Sequence, residues 1–138
     1  MSPTQSTAKP HISTPLRVGD LTLRNRNVMA SLTRNRAIPT NVPNKFNVEY
    51  YTQRAKGGAG LIVSEGTLVS QQGTEWPHAP GLWSDEHVTG WKAVTDSVHA
   101  AGSLMFCQVM CLLTASFILE LTHSAVVACR PRRPPRHG

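Results

Sequence analysis

Two stretches with helical spacing each run into glycine and then into a short apolar segment, and this alternation constrains the chain most. Asn44 can cap a helix that continues to about Lys56, with Phe46, Tyr50, Tyr51 and Ala55 near helical spacing. Gly57-Gly58-Ala59-Gly60 stops it, and Leu61-Ile62-Val63 follows as a strand. The second helix starts after Ser84, with Asp85 and Glu86 in a first turn whose dipole favours acidic groups. Val88, Trp91, Val94, Thr95 and Val98 mark one face of it, Gly102 closes it, and Leu104-Met105-Phe106-Cys107-Gln108 is the next strand. Upstream, Val28-Met29-Ala30 reads as a buried strand ending at Ser31-Leu32-Thr33, and Leu16–Val18 with Leu21–Leu23 about Gly19-Asp20 reads as a hairpin.

Strands alternating with helices pair in parallel through right-handed crossovers. Two architectures carry the order hairpin, β, α, β, α, β: an open doubly wound sheet, or the first strands of a (β/α)8 barrel. Periodicity does not choose between them. A complete barrel takes about 250 residues, so 138 residues hold part of one. With 40% hydrophobic and 16% charged residues the chain is of globular type.

The net charge of +6 invites a nucleic-acid reading, but its distribution argues against one. Arg130, Arg132, Arg133 and Arg136 all follow the last acidic residue, Glu120, and leave only +2 on residues 1–129. The basic character belongs to an Arg/Pro tail, not to a folded face. Cys107, Cys111 and Cys129 form neither a disulfide framework nor a CxxC pair, and with His123 they lack zinc-site spacing, so no metal is expected. Residues 1–13 are polar and read as a disordered leader without an apolar signal core, which makes the cytoplasm the expected compartment. Residues 109–129 are mainly apolar but interrupted by Glu120 and His123; a helix, a marginal membrane span and sequence foreign to the domain all fit. An acid in the middle of a span would cost roughly 2.5–3.5 kcal/mol, which weighs against one.

In a parallel β/α sheet the active site lies at the C-terminal ends of the strands. Thr33, Gly66 and Gln108 stand at three such ends. A hydroxyl donor, a glycine that admits a flat ligand and an amide with donors and an acceptor suit one edge of a heteroaromatic ring. The same residues could equally satisfy local backbone groups and ease a turn.

Several motifs occur together from about Thr14 to Gln108. Ala30-Ser31-Leu32-Thr33-Arg34-Asn35-Arg36-Ala37, Glu49-Tyr50-Tyr51-Thr52-Gln53-Arg54-Ala55 and Leu61-Ile62-Val63-Ser64-Glu65-Gly66-Thr67 are three of them. Pro80-Gly81-Leu82-Trp83, Gly90-Trp91-Lys92, Val98-His99-Ala100-Ala101-Gly102 and Phe106-Cys107-Gln108 complete the series. In this order and spacing they resemble the old yellow enzyme family of FMN-dependent NADH:flavin oxidoreductases. The resemblance implies the N-terminal portion of an FMN-binding TIM barrel: the hairpin plus about three strands and two helices. It implies FMN contacts from Ser31, Leu32, Thr33, Gly66 and Gln108, with Thr33 bonding the flavin near its reactive edge and Gln108 its pyrimidine edge. Ser31 stands where the family usually has proline.

After Gln108 the family pattern stops. The substrate-anchoring His pair, the tyrosine proton donor and the phosphate-binding loops have no counterpart, so no catalytic residue is assigned, and a misread gene end is one expected cause. Residues 109–138 are expected to lie outside the family fold. The resemblance implies hydride transfer from NAD(P)H through FMN to an activated alkene, typically an α,β-unsaturated carbonyl compound, with this chain inactive alone. The alternative is a small non-catalytic α/β interaction or membrane-tethered module. No nucleic-acid partner is expected, and the oligomeric state is open.

Overall fold

The computed structural model describes residues 11–71 and 76–110, together with the backbone of a strand at Ser124–Cys129. The chain opens with a single 3-10 turn, His11–Ser13, where the polar leader was expected to continue. The Arg26 N–H bonds the Ile12 carbonyl at 2.9 Å and ties this turn to the segment after the hairpin. Strands β1 (Leu16–Val18) and β2 (Leu21–Leu23) form the antiparallel hairpin, turning at Gly19 with φ +57°.

The main sheet follows the predicted order. Strand β3 (Val28–Met29) leads to helix α1 (Lys45–Lys56) and strand β4 (Leu61–Val63). A two-residue strand β5 (Thr67–Leu68) follows, then helix α2 (Asp85–Ala100) and strand β6 (Leu104–Met110). β3, β4 and β6 pair in parallel, with Met29, Ile62 and Met105 in register. β5 continues along the β4 edge of β6 and pairs Thr67 with Val109. β6 thus runs to Met110, two residues past Gln108. Its other edge is taken by β7 (Ser124–Cys129), antiparallel, in a segment for which the sequence left helix, span or foreign sequence open. The remainder of the leader and of the tail, with Cys111 and His123, lies outside the described residues.

The helices pack on one face of this sheet. Tyr51, Ala55, Ile62, Trp91, Val94, Val98 and Met105 form one buried cluster. Three positions differ from the sequence expectation. Val28, read as part of a buried strand, is 52% exposed, since β3 is the last strand at its end of the described sheet. Phe46 is 49% exposed, and the buried face of α1 is Asn47, Tyr51 and Ala55. Val88 is 55% exposed, and His87 takes the buried place in the first turn of α2. In both helices a polar residue occupies the inward position, Asn47 with hydrogen-bond partners and His87 with a partner at Nδ1 but none at its buried Nε2. Asn47 closes a capping box with Asn44. His87 Nδ1 lies 2.5 Å from Ser84 Oγ, so the Ser84 hydroxyl serves the imidazole and makes no cap bond to the helix.

Beneath the sheet, one side chain serves both helix ends. The Arg24 guanidinium donates to the carbonyls of Ala101 (2.9 Å), Ala59 (2.9 Å) and Ala55, and to Ser103 Oγ (3.2 Å). The last carbonyls of a helix have no partner within it, and they favour a cation. Arg24 therefore draws the C-termini of α1 and α2 toward the start of β3. Gly60 lies equally close to this junction: a Cβ there would stand 2.6 Å from the Asn25 carbonyl oxygen.

Candidate functional site

At the C-terminal ends of β3, β4 and β6 the turns are organised by buried polar side chains. Ser64, Glu65 and Thr67 have no exposed surface. The Ser64 hydroxyl donates to the Glu65 carbonyl (2.8 Å) and accepts the Gln108 N–H (3.0 Å), fastening the end of β4 to β6. The Thr67 hydroxyl donates to the same Glu65 carbonyl at 3.1 Å.

Glu65 joins three elements. Its Oε2 accepts the consecutive amides of Arg34 (2.8 Å) and Asn35 (3.2 Å), on the loop after β3. Its Oε1 accepts Asn47 Nδ2 (3.3 Å) and the Tyr51 hydroxyl (3.4 Å), both on α1. The Tyr51 oxygen in turn accepts the Glu65 N–H at 2.8 Å. Burial raises the Glu65 carboxyl above the ordinary carboxylate range, while the Arg34 and Asn35 amides, the Tyr51 hydroxyl and the Arg34 charge oppose that rise. Burial, and then the charge of Glu65, pushes the Tyr51 phenol well above its usual value.

The loop carrying Thr33 is held at further points. Asn35 adopts φ 55°, a left-handed conformation that asparagine tolerates better than most residues, and its Oδ1 accepts the His78 N–H at 2.8 Å. The Arg34 guanidinium lies 4.4 Å from the Tyr50 ring centroid, and the Arg54 guanidinium lies 3.7 Å from the same ring.

The structure gathers the sequence-predicted residues around this hub. Thr33 and Leu32 are exposed and Ser31 is half-buried. Thr33 adjoins Arg34, whose amide is bound to Glu65. Gly66 is buried and follows Glu65 directly. Because Thr67 pairs with Val109, Gly66 and Gln108 stand level, one step earlier in the register. A Cβ on Gly66 would stand 2.1 Å from Met110 Sδ, so position 66 admits a close neighbour only without a side chain. No cluster of three or more His, Cys, Asp or Glu residues suited to a metal occurs among the described residues.

A profile of the NADH:flavin oxidoreductase / NADH oxidase family matches residues 11–131. The chain belongs to this family. It is 46% identical over 99 residues to the NADP-dependent oxidoreductase lnbE of Aspergillus flavus, covering 72% of this chain and 26% of that protein. It is 46% identical over 96 residues to the putative 12-oxophytodienoate reductase 4 of rice, Oryza sativa, covering 70% of this chain and 25% of the other. Among solved structures, the old yellow enzyme homologue of Zymomonas mobilis superposes with a TM-score of 0.67 at 50% identity, over 72% of this chain and 28% of that one. Morphinone reductase in complex with tetrahydroNAD gives 0.67 at 44% identity, over 73% and 27%.

These likenesses decide between the two architectures that periodicity left open: the parallel unit is the N-terminal portion of a TIM barrel. The chain spans about a quarter of the length of these relatives. FMN, with NAD(P)H as reductant, is the cofactor set of the family. No helix among the described residues is long and apolar enough to cross a membrane.

The sequence reading singled out Thr33, Gly66 and Gln108 and passed over the residues that hold them. Glu65 had a legible signal: a glutamate two residues past a wholly apolar strand needs buried donors. Which residues would supply them could not be read from spacing, since Asn47 and Tyr51 lie 18 and 14 positions away.

Proposed function

We propose that this chain forms the N-terminal wall of an FMN site in an oxidoreductase of old yellow enzyme type. The supporting observation is the convergence of the Thr33 loop, Gly66 and Gln108 at one rim, each fixed through the Ser64–Glu65 pair. When bound, FMN supplies hydride relay between NAD(P)H and an α,β-unsaturated carbonyl substrate.

The residues of this chain bind and orient it. The Thr33 hydroxyl donates to the reactive edge of the ring, and the Gln108 amide pairs with the pyrimidine edge. Ser31 and Leu32 contribute the adjoining backbone. Gly66 admits the ring's flat face, for which the Met110 thioether must move aside; its three rotatable bonds make that inexpensive. The fit is chemical, since a neutral flavin ring presents both donors and acceptors and this rim offers both.

The test is a chimaera in which residues 14–110 of this chain replace the matching quarter of the Zymomonas mobilis homologue. It is expected to purify with flavin and to reduce a simple enone with NAD(P)H. A folded chimaera without flavin refutes the binding assignment. One that holds flavin but passes no hydride to the enone refutes the catalytic one.

A further inference from the structure

Thr33 is exposed, so something else must hold its loop in place, and the strongest candidate is a carboxylate that touches no solvent. Resting on the flavin reading above, we infer that Glu65 is a positioning residue: it sets the place of Thr33, and hence the hydrogen bond offered to the flavin, through the Arg34 and Asn35 amides.

Three observations carry this. First, Glu65 is wholly buried yet fully bonded, with two donors on each carboxylate oxygen. Second, the two donors on Oε2 are consecutive backbone amides with Asn35 at positive φ, the arrangement in which a loop wraps an anion. Third, the two donors on Oε1 come from α1, a rigid element packed in the core through Tyr51 and Ala55. The carboxylate therefore transfers the position of a helix to a loop. Gly66 follows Glu65 in the chain, so the same residue fixes both sides of the proposed ring site.

Glutamine at position 65 tests whether a neutral side chain of the same size can hold the loop, and methionine, of similar size but without an oxygen acceptor, separates bonding from space-filling. Glutamine matches the size of glutamate and retains one acceptor for the Arg34 and Asn35 amides, with its NH2 turned toward Tyr51, whose oxygen can accept, at the cost of the bond from Asn47 Nδ2. Alanine retains neither.

The experiment uses the full chain. Amide hydrogen exchange is followed at Arg34 and Asn35 in wild type, Glu65→Ala and Glu65→Gln, with the α2 amides of Val94 and Val98 as the folding control. Glu65→Ala is expected to speed exchange at Arg34 and Asn35 on the order of 10–100-fold, the factor set by losing a charge-assisted bond. Glu65→Gln is expected to recover most of that, with Val94 and Val98 unchanged. FMN is then titrated into the chimaera described above, unchanged or carrying Thr33→Ala, Glu65→Ala or both, with flavin fluorescence as the readout. Each single variant is expected to weaken FMN binding several-fold, and the double variant no more than the weaker single, because both act through one hydrogen bond.

Unchanged exchange at Arg34 and Asn35 in Glu65→Ala overturns the positioning role whatever binds at the rim. Multiplying effects of Thr33→Ala and Glu65→Ala on FMN binding overturn the coupling to Thr33. If exchange responds as expected but neither variant alters FMN binding, the flavin reading fails and the inference about Thr33 falls with it. Glu65→Met is followed in the same assay: rates at Arg34 and Asn35 like those of Glu65→Ala are expected, wild-type rates overturn the positioning role, and this comparison stands should Glu65→Ala not fold.

Discussion

Replacing Arg24 by methionine keeps an apolar stem of similar length and removes the guanidinium that joins the two helix ends. The loss can be worked from its contacts. Three carbonyls and one hydroxyl lose a charged donor. In a buried setting each such bond contributes roughly 1.5–3 kcal/mol. Arg24 is exposed, so water replaces much of each bond, and about 0.5 kcal/mol apiece is the appropriate scale. The charge at two helix C-termini adds about 0.3–1 kcal/mol for each helix. The total is about 2.5–4 kcal/mol. With a urea slope of about 1.5–2 kcal/mol/M, the midpoint should fall by roughly 1.5–2.5 M. Urea unfolding followed by far-ultraviolet circular dichroism reads this directly. Arg24→Lys separates the contributions: it keeps the charge but not the planar fork, and should recover less than half of the loss. A midpoint for Arg24→Met within about 0.3 M of wild type would refute the argument. Full recovery by lysine would show that charge alone, not the fork across both helices, does the stabilising.

Three other outcomes follow from the packing. Trp91→Ala, which empties a buried position and removes the indole bond to the Gly81 carbonyl (3.1 Å), should cost about 3–5 kcal/mol; Val88→Ala, at an exposed position, should stay within about 0.5 kcal/mol in the same urea assay. Gly60→Ala should destabilise by about 1–3 kcal/mol, because its methyl meets the Asn25 backbone, which cannot swing aside as a side chain can; an unchanged thermal midpoint would contradict this. For Glu65, whose folded carboxyl is raised, the stability it contributes is fully present below its unfolded value and is lost as pH rises through the folded one. Glu65→Gln removes that titration, so the wild type should gain stability relative to the glutamine variant as pH falls from about 8 to about 4; a difference independent of pH would refute the raised carboxyl.

Much of the fold was legible because it rests on local chemistry. Asn44 caps α1 through a side-chain bond to Phe46 N, and Gly19 turns the hairpin. The boundaries of α1, β4 and α2 follow from caps, glycines and apolar runs that act over a few residues. The inward faces were less legible. Helical spacing proposed Phe46 and Val88, while the tertiary structure buries Asn47 and His87 instead. Hydrophobic pattern weighs burial by apolar area, and it cannot see that a polar group with waiting partners, as Asn47 has in Asn44 and Glu65, is buried at little cost.

The sequence by itself determined the order of the hairpin, β3, α1, β4, α2 and β6, the parallel pairing of those three strands and the motifs that resemble the family, because each is written in neighbouring residues; β5 and the antiparallel β7 were not legible. It also singled out Thr33, Gly66 and Gln108 as strand-end residues, whereas β3 ends at Met29, four residues before Thr33, and β6 runs two residues past Gln108. Tertiary structure alone decided what holds them there. Arg24 reaches Ala101 across 77 positions, and Glu65 reaches Arg34 across 31. Contacts at such separations leave no periodic trace in the chain. They exist only once β3, β4 and β6 lie side by side, when packed helices bring a buried carboxylate and its donors within bonding distance.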